Sequence, residues 1–185
     1  PKFIPKNAVS VQLDADISVK MRLIDCVGFM VEGATGHMEE DKERMVKTPW
    51  FDEEIPFSRA AHAGTEKVIR DHSTIGIVMT CDGSFGELER PMFEEPEELT
   101  VNELKKIGKP FVIVINSARP YSDSTRQLAD QLSAKYGVAA IAVNCEQLRK
   151  EDIQRIMEAL LMEFPVCQIN FYTPKWLDIL PVQHP

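Results

Sequence analysis

After residue 75 the chain settles into a pattern that few folds can satisfy: short runs apolar at almost every position alternate with helix-length amphipathic stretches. A strand apolar on both sides must be covered on both sides, and parallel βαβ units with helices on each face of the sheet do this economically. The pattern predicts strands over 75–81, 111–116, 139–144 and 166–171, with helices near 97–107, 122–136 and 150–163 between them. Lys109-Pro110 ends one helical stretch and opens a strand, and Gly137 does the same after Tyr136.

The start of the chain follows a different rule. Val9, Val11 and Leu13 alternate with polar residues, as do Ile17, Val19, Met21 and Leu23, and Asp14-Ala15-Asp16 lies between the two sets. This period of two, repeated around a polar turn, predicts an antiparallel hairpin with one buried face. Residues 29 to 57, broken by Gly33, Gly36, Pro49 and Pro56, read as one long loop, followed by a helix from Ser58 to about residue 72 with Ser58 as N-cap.

With 185 residues, 44% of them hydrophobic, the chain can bury one sizeable core. We read residues 1–172 as one α/β domain and 173–185 as the start of a connection onward. A net charge of -8 opposes binding to polyanions, so no nucleic-acid partner is expected. No apolar run approaches the ~20 residues of a membrane helix, and no secretory leader opens the chain, so a soluble, cytoplasmic protein is expected. Cys26, Cys81, Cys145 and Cys167 lack metal-ligand spacing and read as small buried hydrophobes of a reducing compartment.

Parallel sheets bind ligands beyond the carboxyl ends of their strands. Those ends carry Asp25-Cys26-Val27-Gly28, Cys81-Asp82-Gly83, Asn116-Ser117-Ala118-Arg119 and Asn144-Cys145-Glu146. An Asp closing a strand with Gly three residues on matches the Walker B and switch arrangement of GTPase-like P-loop NTPases. There the carboxylate, here Asp25, holds Mg²⁺ through its water shell, and the glycine, here Gly28, lets a backbone N–H reach the γ-phosphate. By itself the pattern is also met by any strand-end Asx turn; the order of the later strand ends favours the nucleotide reading.

Asn116 falls where such enzymes read the base. Their usual Asn-Lys-x-Asp loop ends on a carboxylate that accepts from guanine, whereas this chain places Arg119 there. Arginine offers only donors, which favours ATP over GTP. Phe29 follows Gly28 and cannot orient a water by hydrogen bonding. Asp82-Gly83-Ser84-Phe85-Gly86 reads as a strand-end turn, and Glu94-Glu95-Pro96-Glu97-Glu98 as a solvated loop and helix start. The phosphate cradle Gly-x-x-x-x-Gly-Lys-Ser/Thr occurs nowhere; Gly108-Lys109 is followed by Pro110. The expected fold is therefore a three-layer P-loop NTPase (GTPase-like) sheet, mostly parallel with an N-terminal antiparallel hairpin, lacking its first strand and Walker A loop. Without that strand, those placed at 17–24 and 75–81 must either pair directly or accept a strand from elsewhere.

Asp25-Cys26-Val27-Gly28, Met45-Val46-Lys47-Thr48-Pro49-Trp50, Gly64-Thr65-Glu66-Lys67-Val68-Ile69, His72-Ser73-Thr74-Ile75-Gly76, Gly108-Lys109-Pro110-Phe111 and Val114-Ile115-Asn116-Ser117-Ala118-Arg119-Pro120 together resemble the stage IV sporulation protein A family. The resemblance implies an ATPase of endospore-forming bacteria, with ATP and Mg²⁺ as ligands, whose hydrolysis drives polymerisation into the base layer of the spore coat on the forespore. It implies Asp25 and Gly28 as the Walker B pair and Asn116 to Arg119 as a degenerate base-reading loop, with Asn144 and Cys145 at the next strand end. It further implies self-association into filaments, contact with other coat proteins, and a small amphipathic membrane-anchoring peptide bound through regions outside this chain. The expected place is the mother-cell cytoplasm, peripheral to the forespore outer membrane. A non-catalytic scaffold derived from an NTPase is the alternative.

Overall fold

The computed structural model describes residues 4–14, 17–39, 42–166, 168–170, 172 and 174. Its centre is a parallel three-stranded sheet of β7 (Gly76–Cys81), β8 (Phe111–Asn116) and β9 (Ala140–Val143), in the order β7-β8-β9. Gly76 aligns with Phe111, and Ile113 with Ala140, so all three strands end together at one edge.

β8 is buried on both faces. Phe111, Ile113 and Ile115 meet Val101 and Leu104 of helix α2 (Arg90–Lys106) and Leu132 and Tyr136 of α3 (Asp123–Tyr136). On the other side Val112 and Val114 meet Ile156, Met157 and Leu160 of α4 (Lys150–Met162). Helices therefore cover both sheet faces, as the apolar runs require. Gly76 lets α2 approach closely, since a Cβ there would lie 2.9 Å from both terminal carbons of Leu104.

The alternating N-terminal residues form β1 (Val9–Asp14) and β2 (Ile17–Met21), an antiparallel pair. The turn residues Ala15 and Asp16 lie outside the described residues. Val11, Leu13, Val19 and Met21 pack into the α4-side core, and Gln154 Nε2 donates to the Leu13 carbonyl at 2.8 Å. The pair is a separate two-stranded sheet. Among the described residues β2 does not pair with β7, so that route to closing the sheet is not taken.

Several elements depart from the sequence reading. The helix expected at 97 begins at Arg90: Pro91 sits in its first turn, where no amide partner is needed, and Pro96 is accommodated inside the helix. That places Glu97 of the supposedly solvated run in the interior. The stretch 29–57 is not one loop but two short ladders, β3 (Met38–Glu39) with β4 (Lys42–Glu43) and β5 (Met45–Val46) with β6 (Ile55–Pro56). Trp50 lies over Gly64 of helix α1 (Phe57–Lys67), 3.3 Å from where a Cβ would stand.

Ser58 does not cap α1. The cap position is Pro56, and the Ser58 N–H instead donates to Glu43 Oε1 at 3.0 Å. The helix continues as a π turn, Val68–His72. Residues 166, 168, 169 and 170 form no strand; Cys167 and Phe171 lie outside the described residues, as does 173–185 except Pro174. Cys81 is buried as expected, whereas Cys26, in irregular chain beyond β2, and Cys145, at the start of a 3-10 turn after β9, are exposed.

Lys109 closes the π turn. Its Nζ donates to the carbonyls of Ile69 at 2.6 Å, Arg70 at 2.8 Å and Ser73 at 2.5 Å, pinning the helix end beside the start of β8. Lys109→Met keeps the stem and removes all three bonds. We expect it to cost about 1.5–3 kcal/mol in urea unfolding, the range for hydrogen bonds to a charged group; a change under about 0.5 kcal/mol would show the cap to be dispensable.

Candidate functional site

β7 offers one side to β8 and, among the described residues, leaves the other unpaired. The amides of Gly76 and Asp82 donate to Pro110 and Asn116, so the even-numbered positions face β8. By alternation Ile77 and Met79 turn their backbone groups toward the free side, where no strand is paired among the described residues. Between this edge and residues 23–31 lies a groove of about 750 Å³, floored by β7 and walled by α1, the π turn and α2. Met79, mid-strand, is 55% exposed.

Three sequence-predicted residues come together here. Asp25, Gly28 and Asn116 all line this groove, although 91 positions separate the first from the last. Asp25 is exposed. Gly28 has φ of +81° with open space where a Cβ would point, so a ligand can approach its backbone closely. Phe29 also lines the groove, its buried ring meeting His62 of α1 edge-on at 4.9 Å between centroids. Asn116 Oδ1 accepts from the Cys145 N–H at 3.0 Å, tying the ends of β8 and β9 together and leaving the amide NH₂ to donate.

The other predicted residues stand at the rim or in the frame. Ser117 is fully buried; its Oγ accepts from the Arg119 N–H at 3.0 Å and lies 3.3 Å from Thr125 Oγ1. Arg119 is exposed. Asn144 Oδ1 accepts from the amides of Glu146 and Gln147, shaping the turn after β9. Although Cys145 is exposed, partial desolvation of its thiol, with Cys81 nearby, pushes it above its ordinary value, which disfavours the thiolate a nucleophile would need.

Two features escaped the sequence reading. Arg90 Nη1 lies 2.7 Å from Glu97 Oε2 and donates to Thr80 Oγ1 at 2.7 Å, while Glu97 Oε1 accepts from Tyr136 at 2.9 Å. This buried network joins α2, α3 and the end of β7. Its signal was the seven-residue spacing of Arg90 and Glu97, two helical turns on one face, hidden by the assumption that Pro96 starts the helix.

The second is Asp82. Its Oδ1 accepts from the Ser84 N–H at 2.9 Å and the Ser84 hydroxyl at 2.5 Å, and its Oδ2 from Thr125 at 3.3 Å. Gly83 has φ of +83°, and a Cβ there would meet the Arg90 amide nitrogen at 2.7 Å, so the turn requires glycine. Burial raises the Asp82 pKa, but hydrogen bonds from Ser117, Ser84 and Thr125 outweigh it and hold the carboxyl below its ordinary 3.8.

Asn116 closes β8, whereas Asp25 and Gly28, expected at a strand end, lie in irregular chain beyond β2, which stops at Met21 in a separate sheet; the α/β layout with helices on both sheet faces is that of a P-loop NTPase-like domain. Residues 1–165 match the family model for the ATPase domain of stage IV sporulation protein A, and the chain belongs to that family. It is 47% identical to stage IV sporulation protein A of Bacillus anthracis and 45% identical to those of Bacillus subtilis and Clostridioides difficile, in each case over 184 residues and the whole of this chain. The chain spans 37% of the length of the two Bacillus relatives and 38% of the third. No solved structure matches it. Among the described residues no helix is long and apolar enough to cross a membrane.

The lowered pKa of Asp82 has a testable sign. Its hydrogen bonds stabilise the fold fully above the unfolded value of 3.8, and this contribution is lost as pH falls through the lower folded value. At pH 7 Asp82→Asn is expected to be less stable than the parent, with the gap closing in acid unfolding below pH 3.8. A gap that stays constant with pH would mean that ionisation is not its source.

Proposed function

We propose that this chain is the larger part of an ATPase domain from a spore-coat assembly protein, with its strand ends forming half of a Mg²⁺–ATP site. The observation that carries the reading is the convergence of Asp25, Gly28 and Asn116 on one groove that runs along the outer edge of β7, in a chain of this ATPase family. Asp25 accepts from the water shell of the metal, which supplies charge neutralisation at the phosphates. Gly28 presents its backbone N–H to the γ-phosphate. Asn116 donates its amide NH₂ to the base, Ser117 and Asn144 shape the loops beneath, Cys145 anchors Asn116, and Arg119 favours adenine because it has no acceptor for guanine.

The reading assigns the first strand and the phosphate cradle to sequence upstream of Pro1. That strand enters the slot between β2 and β7, supported by the free β7 edge and the exposed Met79 beside it. On this view the chain alone is inactive. In the intact protein hydrolysis drives polymerisation into the coat base layer on the mother-cell side of the forespore. The partners are further copies, other coat proteins, and a small amphipathic membrane-anchoring peptide held through other regions. The net charge of -8 disfavours nucleic acid. The rival, a non-catalytic scaffold, draws on Phe29, whose buried ring leaves no water-orienting group after Gly28.

In the intact polypeptide Asp25→Ala is expected to lower phosphate release from ATP by about two orders of magnitude, as removal of a group aiding transition-state charge does, with an unchanged circular dichroism spectrum. Undiminished turnover would remove Asp25 from the site. The isolated chain should give no heat of ATP binding in calorimetry; micromolar binding would show that it carries its own cradle.

A further inference from the structure

We propose that Asp82 is a positioning residue for nucleobase selection, holding the Ala118-Arg119 segment through two hydroxyl relays. The inference rests on the ATP-site reading above and adds to it a residue that touches neither base nor phosphate.

The two consecutive amides that set the course of the loop are each accepted by a serine hydroxyl. Ala118 N–H donates to Ser84 Oγ at 2.8 Å, across a gap of 34 positions, and Arg119 N–H donates to Ser117 Oγ at 3.0 Å. A hydroxyl that accepts with its oxygen still has one proton to place, and where that proton goes fixes how its lone pairs point. Ser84 gives its proton to Asp82 Oδ1 at 2.5 Å. Ser117 reaches the same carboxylate through Thr125, whose Oγ1 lies 3.3 Å from Ser117 Oγ and donates to Asp82 Oδ2 at 3.3 Å.

One carboxylate thus aligns both acceptors beneath the loop that bears Arg119. Chains of hydrogen bonds ending on a charge are shorter and stiffer than those between neutral groups. The Asp82 backbone is itself fixed, since its N–H donates to the Asn116 carbonyl at 3.3 Å and Gly83 is wedged under the Arg90 amide. Asp82 therefore transmits the position of the β7 end to the loop after β8. An amide at position 82 keeps the size but can offer an N–H where Ser84 needs an acceptor, so the Ser84 hydroxyl no longer presents its lone pair to Ala118.

The test uses the intact polypeptide and steady-state hydrolysis of ATP and GTP. Asp82→Asn is expected to lower the ratio of kcat/KM for ATP over GTP by about tenfold, with the loss in KM for ATP rather than in kcat, as expected of an effect on binding. Ser84→Ala should lower it less. Arg119→Ala should lower the ratio as Asp82→Asn does, and the double variant should lower it no further, because both changes remove the same reading of the base. Asp82→Glu, which restores the acceptor, should recover part of the ratio.

An unchanged ratio in Asp82→Asn, a fall in kcat shared equally by both nucleotides, or an additive effect with Arg119→Ala would overturn the proposal while leaving the ATPase reading intact. If the parent hydrolyses neither nucleotide, both fail together.

Discussion

Five consecutive side chains of β8, Phe111 to Ile115, are buried, and the arrangement of the domain depends on covering them from two sides. A strand of this kind cannot lie at a solvated face. It draws α2 and α3 onto one side and α4 with the β1-β2 pair onto the other. Because these connections run through helices, the strands are parallel and their carboxyl ends share an edge. Chemistry-bearing residues from distant parts of the chain meet there as a consequence of packing: the apolar runs decide where Asn116 stands.

The two sides of the small sheet are finished differently. At β9 the Ala140 N–H donates to Ser133 Oγ at 3.0 Å and the Ala142 carbonyl accepts from Arg155 at 3.4 Å, so side chains already occupy part of that edge. At β7 the outward backbone of Ile77 and Met79 faces the groove with no paired strand among the described residues. An unpaired edge is costly when buried and adhesive when exposed. Of the two edges, that of β7 is the one left without a strand among the described residues, and it borders the groove that Asp25 and Gly28 line.

The layered α/β architecture was legible because β8 and its neighbours are apolar at nearly every position, and the hairpin because Val11, Leu13, Val19 and Met21 alternate. The end of β8 followed from these and marked Asn116, whereas the strand expected to run to residue 24 stops at Met21, so Asp25 and Gly28 reach the same groove from irregular chain. Where reading failed, a tertiary partner had overridden a local rule. Pro96 suggested a helix start, but Pro91 and the Arg90–Glu97 pair carry α2 back to Arg90. Ser58 suggested a cap, but Glu43, 15 residues earlier, took its amide. Residues 29–57 looked loose, yet Trp50 had a seat on Gly64. Asp82 was passed over as a turn residue. A turn it is, but besides the adjacent Ser84 it is held by the Thr125 hydroxyl, 43 positions away, a separation that no local pattern reports.

The central claim is that Asp25, Gly28 and Asn116 serve a single nucleotide. Amide hydrogen exchange on the intact polypeptide, with and without Mg²⁺–ATP, tests it most directly. The account predicts that peptides covering residues 25–28 and 116–119 gain protection together, with the same dependence on ATP concentration. Protection confined to one of these segments, or found only outside both, would contradict it.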